Sequence, residues 1–105
     1  MVEAQPSVNK VGGVTQMRRA MALADAFGIT VVPHSAYFGP GLIASIHCIA
    51  ALSGGGLVER CDADFAVNSM HDAILPDENG CLAVPQGPVL GVDPDPAFIE
   101  KLRVG

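Results

Sequence analysis

The segment that decides the fold is VVPHSAYFGPG at residues 31–41, where an apolar run ends at a histidine and then breaks into Gly and Pro. Together with the two residues before it, the run reads ITVVP, which predicts a strand buried on both faces of a parallel sheet. Enzymes of the α/β class place their chemistry at the carboxyl ends of such strands. His34 is therefore the first candidate for a functional side chain. A histidine at a strand end can equally be a satisfied structural residue, and the strand pattern alone leaves both interpretations open.

Helical patterns flank this strand. In GGVTQMRRAMALADAFG, residues 12–28, apolar residues recur at helical spacing, and the pattern predicts a helix that begins at Thr15 and ends at Gly28. GPGLIASIHCIAAL, residues 39–52, predicts a second helix. The alternation of strand and helix indicates an α/β fold built from successive βα units.

Two further strands complete the predicted pattern. EAQPSVNKV, residues 3–11, contains a short extended segment that would carry Asn9 and Lys10, and LVERC, residues 57–61, follows an SGGG loop as a third strand. Lys10 could be mistaken for a Schiff-base lysine, but a buried or partner-paired lysine is the preferred interpretation. The sequence thus predicts about three parallel strands with two crossover helices.

The last third of the chain differs from the βα pattern. Asn79-Gly80 between two apolar-leaning segments predicts a β-hairpin, and Asp95 followed by Pro96 predicts the cap and first residue of a short terminal helix. We therefore divide the chain into a partial barrel at residues 1–72 and a hairpin and helix at residues 73–105. The polar stretch between the third strand and the hairpin predicts a loop.

Composition limits the classes of function. The chain has 105 residues, half of them hydrophobic, which suffices for one small domain. A net charge of −5 with six basic residues gives no cationic surface for nucleic acid or an anionic membrane. The longest apolar stretch, residues 41–52, is too short to cross a bilayer, and the first residues lack a signal-peptide core, so we expect a cytoplasmic protein without membrane contact.

The cysteines give little support for a disulfide or a metal site. There are three, an odd number, and none has CxxC spacing. A mixed Cys/His metal site remains a minor alternative, because such residues are more often ordinary core or loop residues. Its ligands would be His47, Cys48, Cys61 and His71.

Three parallel strands would leave two open edges, which natural sheets avoid by adding strands or closing into a barrel. A (β/α)₈ barrel needs about 250 residues, so this sequence could supply only its last portion. Four segments in order carry a family resemblance: QPSVNKVGGVTQ, VVPHSAYFGPG, LVER and VPQGPVLGVD. They resemble the C-terminal third of enolase-superfamily enzymes of the mandelate racemase and muconate lactonizing type, especially acid-sugar dehydratases. The resemblance implies an incomplete TIM-type barrel made of the sixth, seventh and eighth strands, with a tail that returns toward a missing capping domain.

The resemblance also implies a chemistry. His34 occupies the position of the histidine that removes or returns the proton α to a carboxylate. Because such a proton is too weakly acidic for imidazole alone, a divalent metal, Mg²⁺ in this family, must stabilise the enediolate. The family's metal-binding carboxylates lie on earlier strands, so we assign no metal ligand in this chain and expect the isolated chain to be inactive.

Three more residues receive roles from the resemblance. Ser7 stands where the mandelate racemase group commonly has an aspartate that orients the histidine. Serine can orient the ring but cannot supply the negative charge. The resemblance therefore predicts a less stabilised imidazolium at His34. Asn9 is a weaker candidate for the same hydrogen bond. Glu59 matches a glutamate that donates a hydrogen bond to the substrate carboxylate while protonated, the alternative being a salt-bridged residue of the barrel rim. Tyr37 is a candidate substrate contact or a packing residue of the loop.

The predicted function is therefore that of the C-terminal part of a Mg²⁺-dependent acid-sugar dehydratase or racemase, acting on a small carboxylate. The alternative is a non-catalytic partial-barrel module that acts in oligomerisation or binding. Open strand edges predict self-association, or complementation by an upstream polypeptide. The sequence leaves open the substrate and the choice between dehydration and racemisation.

Overall fold

Two short parallel strands and three helices form the fold in the computed structural model, which describes residues 2–35, 38–52, 55–61 and 74–105. Their bounds, in chain order, are β1 Glu3–Ala4, α1 Val14–Ala26, β2 Thr30–Val31, α2 Pro40–Ala50 and α3 Pro96–Lys101. The strands pair in parallel, with Glu3 opposite Thr30 and Ala4 opposite Val31. A helix between two parallel strands confirms the α/β class. The described residues are compatible with part of a barrel but do not form a closed one.

The helix α1 follows from the spacing of its apolar residues. Met17, Met21 and Ala24 lie three or four positions apart, and all three are buried. The helix begins at Val14, one residue before the predicted start. It ends where Gly28 adopts a φ of +64°, a left-handed conformation that glycine takes without steric cost. The next residue, Ile29, donates its N–H back to the Ala24 carbonyl, and this turn leads the chain into β2.

The predicted third strand is wrong in the described residues. Residues 57–61 run without regular secondary structure, and the described sheet consists of β1 and β2 alone. A strand exists only where its backbone hydrogen-bonds to a neighbouring backbone, and apolar residues do not ensure such a neighbour. Consequently α1 is a crossover between strands, whereas α2 is followed by residues 57–61, which lie outside the described sheet. Asn9 and Lys10 were also predicted on a strand; both are exposed and lie in a turn.

The predicted hairpin forms only its turn. The N–H groups of Asn79 and Cys81 both donate to the Oδ1 atom of Asp77, and the Asp77 N–H donates to the Cys81 carbonyl. Within residues 74–105 no β-ladder extends from this turn. A side-chain oxygen therefore holds the turn where strand pairing was predicted.

Two apolar clusters organise the core. The first joins α1, α2 and β2 through Met17, Met21, Val31, Ala44 and Cys48, among others. The second packs the other side of α2 against the tail; its buried members are Leu42, Ile43, Ile46 and Ile74, covered by Val58, Leu82, Val84, Leu90 and Val92. The helix α2 is thus apolar on most of its surface because it lies between α1 and the tail.

The terminal helix α3 has the predicted start. Asp95 accepts a hydrogen bond of 2.9 Å from the Ala97 N–H, and Pro96 is the first helical residue. No helix in the described ranges is long and apolar enough to cross a membrane. The domain boundary at residues 72 and 73 falls outside the described residues, and both this boundary and the cytoplasmic location stay predictions from the sequence.

Candidate functional site

The candidate site lies at the carboxyl ends of the two parallel strands. Beyond the paired residues the same type of hydrogen bond continues: Val32 donates its N–H to Ala4, and His34 donates its N–H to Pro6 over 3.1 Å. If the pairing of the two strands is extended beyond Ala4 and Val31 in the same register, Ser7 lies opposite His34. Two neighbouring strand ends therefore bring the predicted histidine and the predicted orienting position to one edge of the sheet.

The imidazole of His34 is held by Glu59. The distance from His34 Nδ1 to Glu59 Oε2 is 2.6 Å, and the same carboxylate oxygen accepts the backbone N–H of Ser35 over 3.0 Å. The His34 side chain is 35% exposed and that of Glu59 is 42% exposed. The structure thus brings together both residues that the sequence predicted as catalytic, in direct contact with each other.

This contact determines what the histidine ring can do. With Nδ1 directed at a carboxylate, that nitrogen carries the proton, and Nε2 is the ring nitrogen that can accept or return one. No hydrogen bond to Nε2 is found within the described ranges. A partly exposed imidazole fixed at one nitrogen and available at the other has the arrangement of a general acid or base.

Ser7 and Tyr37 have different outcomes. Ser7 is 4% exposed, and its carbonyl accepts the N–H groups of Lys10 and Val11 as the chain turns toward α1. The contact that the structure gives to His34 Nδ1 comes from Glu59. Tyr37 lies outside the described residues, so its predicted substrate contact stays a prediction.

Ser35 is a residue that sequence reasoning missed. It is fully buried, and among the described residues its hydroxyl has no hydrogen-bond partner. Its backbone N–H anchors the carboxylate that contacts His34. The only sequence signal was its position directly after the histidine.

The described residues do not fit a magnesium site or the Cys/His alternative. No group of three or more His, Cys, Asp or Glu side chains in the described ranges is placed to hold a metal ion, and His71 lies outside those ranges. Cys48 is buried, which raises the pKa of its thiol, while Arg18 nearby lowers it in part. A thiol kept in its protonated form is a poor metal ligand.

Cavities in the described residues lie away from the His34–Glu59 contact. One of about 450 Å³ lies between α2 and the turn at residues 79–84, and its lining is mainly apolar. Another of about 390 Å³ lies where the start of α1 meets the start of α2. Neither contains an ionisable residue other than Cys81. A third cavity, of about 290 Å³, has Asp25 in its lining and lies beside β2 and the end of α1. None of the three includes His34 or Glu59, which reach the surface at the strand ends.

This chain is similar to proteins of one known family. The model of the enolase C-terminal domain-like family matches residues 3–98. An arabinonate dehydratase from Saccharolobus solfataricus is 30% identical over 91 residues, which cover 83% of this chain and 23% of that protein. The chain therefore spans about a quarter of the length of this curated relative. No solved structure matches the chain significantly. The family match covers nearly the whole sequence, including both strands, α1, α2, the first half of α3, His34 and Glu59. The chain belongs to the enolase C-terminal domain-like family.

Proposed function

We propose that this chain is the C-terminal, base-carrying part of an acid-sugar dehydratase or racemase. The family match and the likeness to an arabinonate dehydratase support this class of reaction. In such a reaction a base removes the proton α to the substrate carboxylate. Dehydration then expels the β-hydroxyl group as water, whereas racemisation returns a proton to the α-carbon. We propose an aldonate such as arabinonate as the first substrate to test.

The single observation that supports the proposal most strongly is the placement of His34. The residue lies just beyond the carboxyl end of β2, its Nδ1 contacts Glu59 at 2.6 Å, and its side chain is partly exposed. In α/β proteins small-molecule substrates bind at this edge of the sheet. Nε2 is then the atom that takes the α-proton of the substrate and later donates it to the leaving hydroxyl or back to carbon.

The remaining parts of the proposed reaction lie beyond the described residues. Members of this family would use Mg²⁺ to stabilise the charge that develops on the substrate carboxylate, yet the described residues supply no ligand set for it. We therefore derive only the proton transfer at His34. We expect the chain to need a polypeptide that contributes metal ligands, and self-association and complementation stay predictions.

A graft tests the proposal. The segment of the arabinonate dehydratase that matches this chain is replaced by the corresponding residues of this chain, and arabinonate is incubated with the graft and Mg²⁺ in deuterated water. Proton NMR then measures the loss of the α-proton signal and the formation of product. We expect exchange and dehydration in the graft, and a loss of about 100-fold or more when His34 is replaced by Asn, as for removal of a general base.

His47→Gln is the matched control, because it also removes an imidazole. That imidazole lies on α2 and binds the carbonyl of Leu90 in the tail, away from the candidate site. This variant should leave the exchange rate close to that of the unmodified graft. A folded graft that exchanges no α-proton would favour the alternative, a non-catalytic binding or oligomerisation module. Equal exchange in the graft and in its His34→Asn variant would contradict the role of His34.

A further inference from the structure

We infer that Glu59 is the positioning residue of His34, and that it supplies the carboxylate that the family's aspartate would otherwise supply at position 7. The inference rests on the proposed function only in so far as His34 is the base. The family resemblance implies that Glu59 is a protonated donor to the substrate. The inference replaces that role with the positioning of His34. The new role follows from the contacts of Glu59 Oε2 with His34 Nδ1 and with the Ser35 backbone N–H.

One oxygen of the Glu59 carboxylate contacts both the ring of His34 and the backbone of Ser35. Glu59 Oε2 lies 2.6 Å from His34 Nδ1 and 3.0 Å from the backbone nitrogen of Ser35. The first distance is short for an N–H···O hydrogen bond, as is typical where the acceptor is a carboxylate. Oε2 thus accepts from two N–H groups at the histidine, so the observed contacts use Glu59 as an acceptor toward His34 and Ser35. Donation to a substrate carboxylate would need a proton on Oε1, and no contact observed among the described residues uses that atom as a donor.

The backbone next to His34 holds the Glu59 carboxylate in place. Ser35 is the residue after His34, and the His34 N–H is itself bound to the Pro6 carbonyl at the end of β1. The carboxylate is therefore fixed to the same backbone that carries the imidazole. This arrangement fixes the orientation of the ring and favours the proton on Nδ1, which leaves Nε2 as the nitrogen that can accept one.

Ser7 stands at the position where the family resemblance implies an orienting aspartate. Continuation of the strand register places Ser7 level with His34, so a side chain there is close enough to be considered for the same task. Serine carries no charge, and the carboxylate at Nδ1 comes from Glu59. The charge is thus absent at residue 7 and present at residue 59. This indicates that residue 59 has taken over the orienting role of residue 7, and a Ser7→Asp substitution can test it.

The test uses the full chain and reads the histidine ring directly. Long-range ¹H–¹⁵N NMR spectra of the side chains distinguish a neutral ring protonated at Nδ1 from one protonated at Nε2, and a His34→Gln variant assigns the signals. We expect His34 to carry its proton on Nδ1. In Glu59→Ala the ratio of the two forms should shift toward Nε2–H by about tenfold or more, as for loss of a hydrogen bond to a charged group. Glu78→Ala, which removes an exposed glutamate from the turn at residues 78–80, should change nothing.

A rescue variant separates positioning from a general structural effect. Adding Ser7→Asp to Glu59→Ala should return the proton to Nδ1. An unchanged ring in Glu59→Ala, or a proton on Nε2 in the unmodified chain, would overturn the inference. If the double variant keeps the same proton distribution on the His34 ring as Glu59→Ala, the claim that Glu59 has taken over the orienting role of residue 7 is contradicted. Because these spectra need no turnover, they can fail or succeed independently of the α-proton exchange that tests the proposed function.

Discussion

The imidazole of His47 donates a hydrogen bond from Nε2 to the carbonyl of Leu90 over 3.0 Å, and so joins α2 to the tail. The tail has no regular structure between residues 75 and 95. Its apolar residues nevertheless cover Ile43 and Ile46 of α2. The tail is therefore held by side-chain packing and a few specific hydrogen bonds, because backbone pairing is not available to hold it.

This relationship predicts that His47 stabilises the tail. Replacement of His47 by Ala leaves the half-buried Leu90 carbonyl without its donor and should lower the free energy of unfolding by about 1–2 kcal/mol. His47→Gln retains an N–H donor and should lose less. Urea denaturation measures both values, and equal stability of the two variants would show that the hydrogen bond contributes nothing.

The core of α1 gives a second prediction with a control on the same helix. Met17 is fully buried, and Met17→Ala should lower the free energy of unfolding by about 2–5 kcal/mol, through lost apolar burial and the cavity left behind. Leu23 is 62% exposed, and Leu23→Ala should change it by less than about 0.5 kcal/mol. Thermal or urea unfolding followed by circular dichroism compares the two. Similar losses would mean that α1 is not packed as described.

The helices could be predicted from the sequence because their signals are local. The spacing of Met17, Met21 and Ala24 is enough to define the buried face of α1, and Asp95 followed by Pro96 defines the start of α3. The third strand and the hairpin were predicted wrongly because a β-ladder depends on a distant backbone, which neither the residues at 57–61 nor Asn79-Gly80 specify.

The candidate site was predictable to a similar extent. His34 could be found because it follows a strand, and Glu59 because of its family position. The contact between His34 and Glu59 could not be predicted, because it joins a strand end to a segment that follows α2 in the chain. The burial of the Ser35 hydroxyl could not be predicted from the sequence. Whether it finds a partner among the described residues depends on how distant segments pack around it.

Ser35 and Ser45 form a natural pair for a third prediction. Both are fully buried, but Ser45 Oγ donates to the Gly41 carbonyl over 2.9 Å, whereas Ser35 Oγ has no partner among the described residues. Ser35→Ala removes an unsatisfied polar group and should raise the free energy of unfolding by about 1 kcal/mol. Ser45→Ala should lower it by about 0.5 kcal/mol, because the lost hydrogen bond outweighs the better helix propensity of alanine.

Chemical denaturation of the two serine variants measures these changes. Opposite signs for Ser35→Ala and Ser45→Ala are the expected result. A loss of stability in Ser35→Ala as large as that in Ser45→Ala would show that the Ser35 hydroxyl is satisfied in solution.

The fourth prediction concerns Cys48 and alkaline pH. Burial raises the pKa of this thiol in the folded chain, and Arg18 offsets part of the effect. Below the ordinary pKa of a thiol, about 8.5, both folded and unfolded chains keep the proton and the stability is unaffected. As the pH rises above that value, the unfolded chain ionises first, so the free energy of unfolding should fall until the folded thiol also loses its proton.

Cys48→Ala should remove this alkaline decrease, whereas Cys61→Ser should retain it because Cys61 is exposed. Urea unfolding at several pH values between 7 and about 10 measures how the free energy of unfolding of each variant changes with pH. This slope is compared between variants, so a loss of stability at neutral pH does not affect the test. Thiol labelling provides a second readout: Cys61 and Cys81 should react in the native chain, and Cys48 only upon unfolding, since burial limits both its ionisation and its access to reagent. Fast labelling of all three cysteines under native conditions would contradict the packing of α2 against α1.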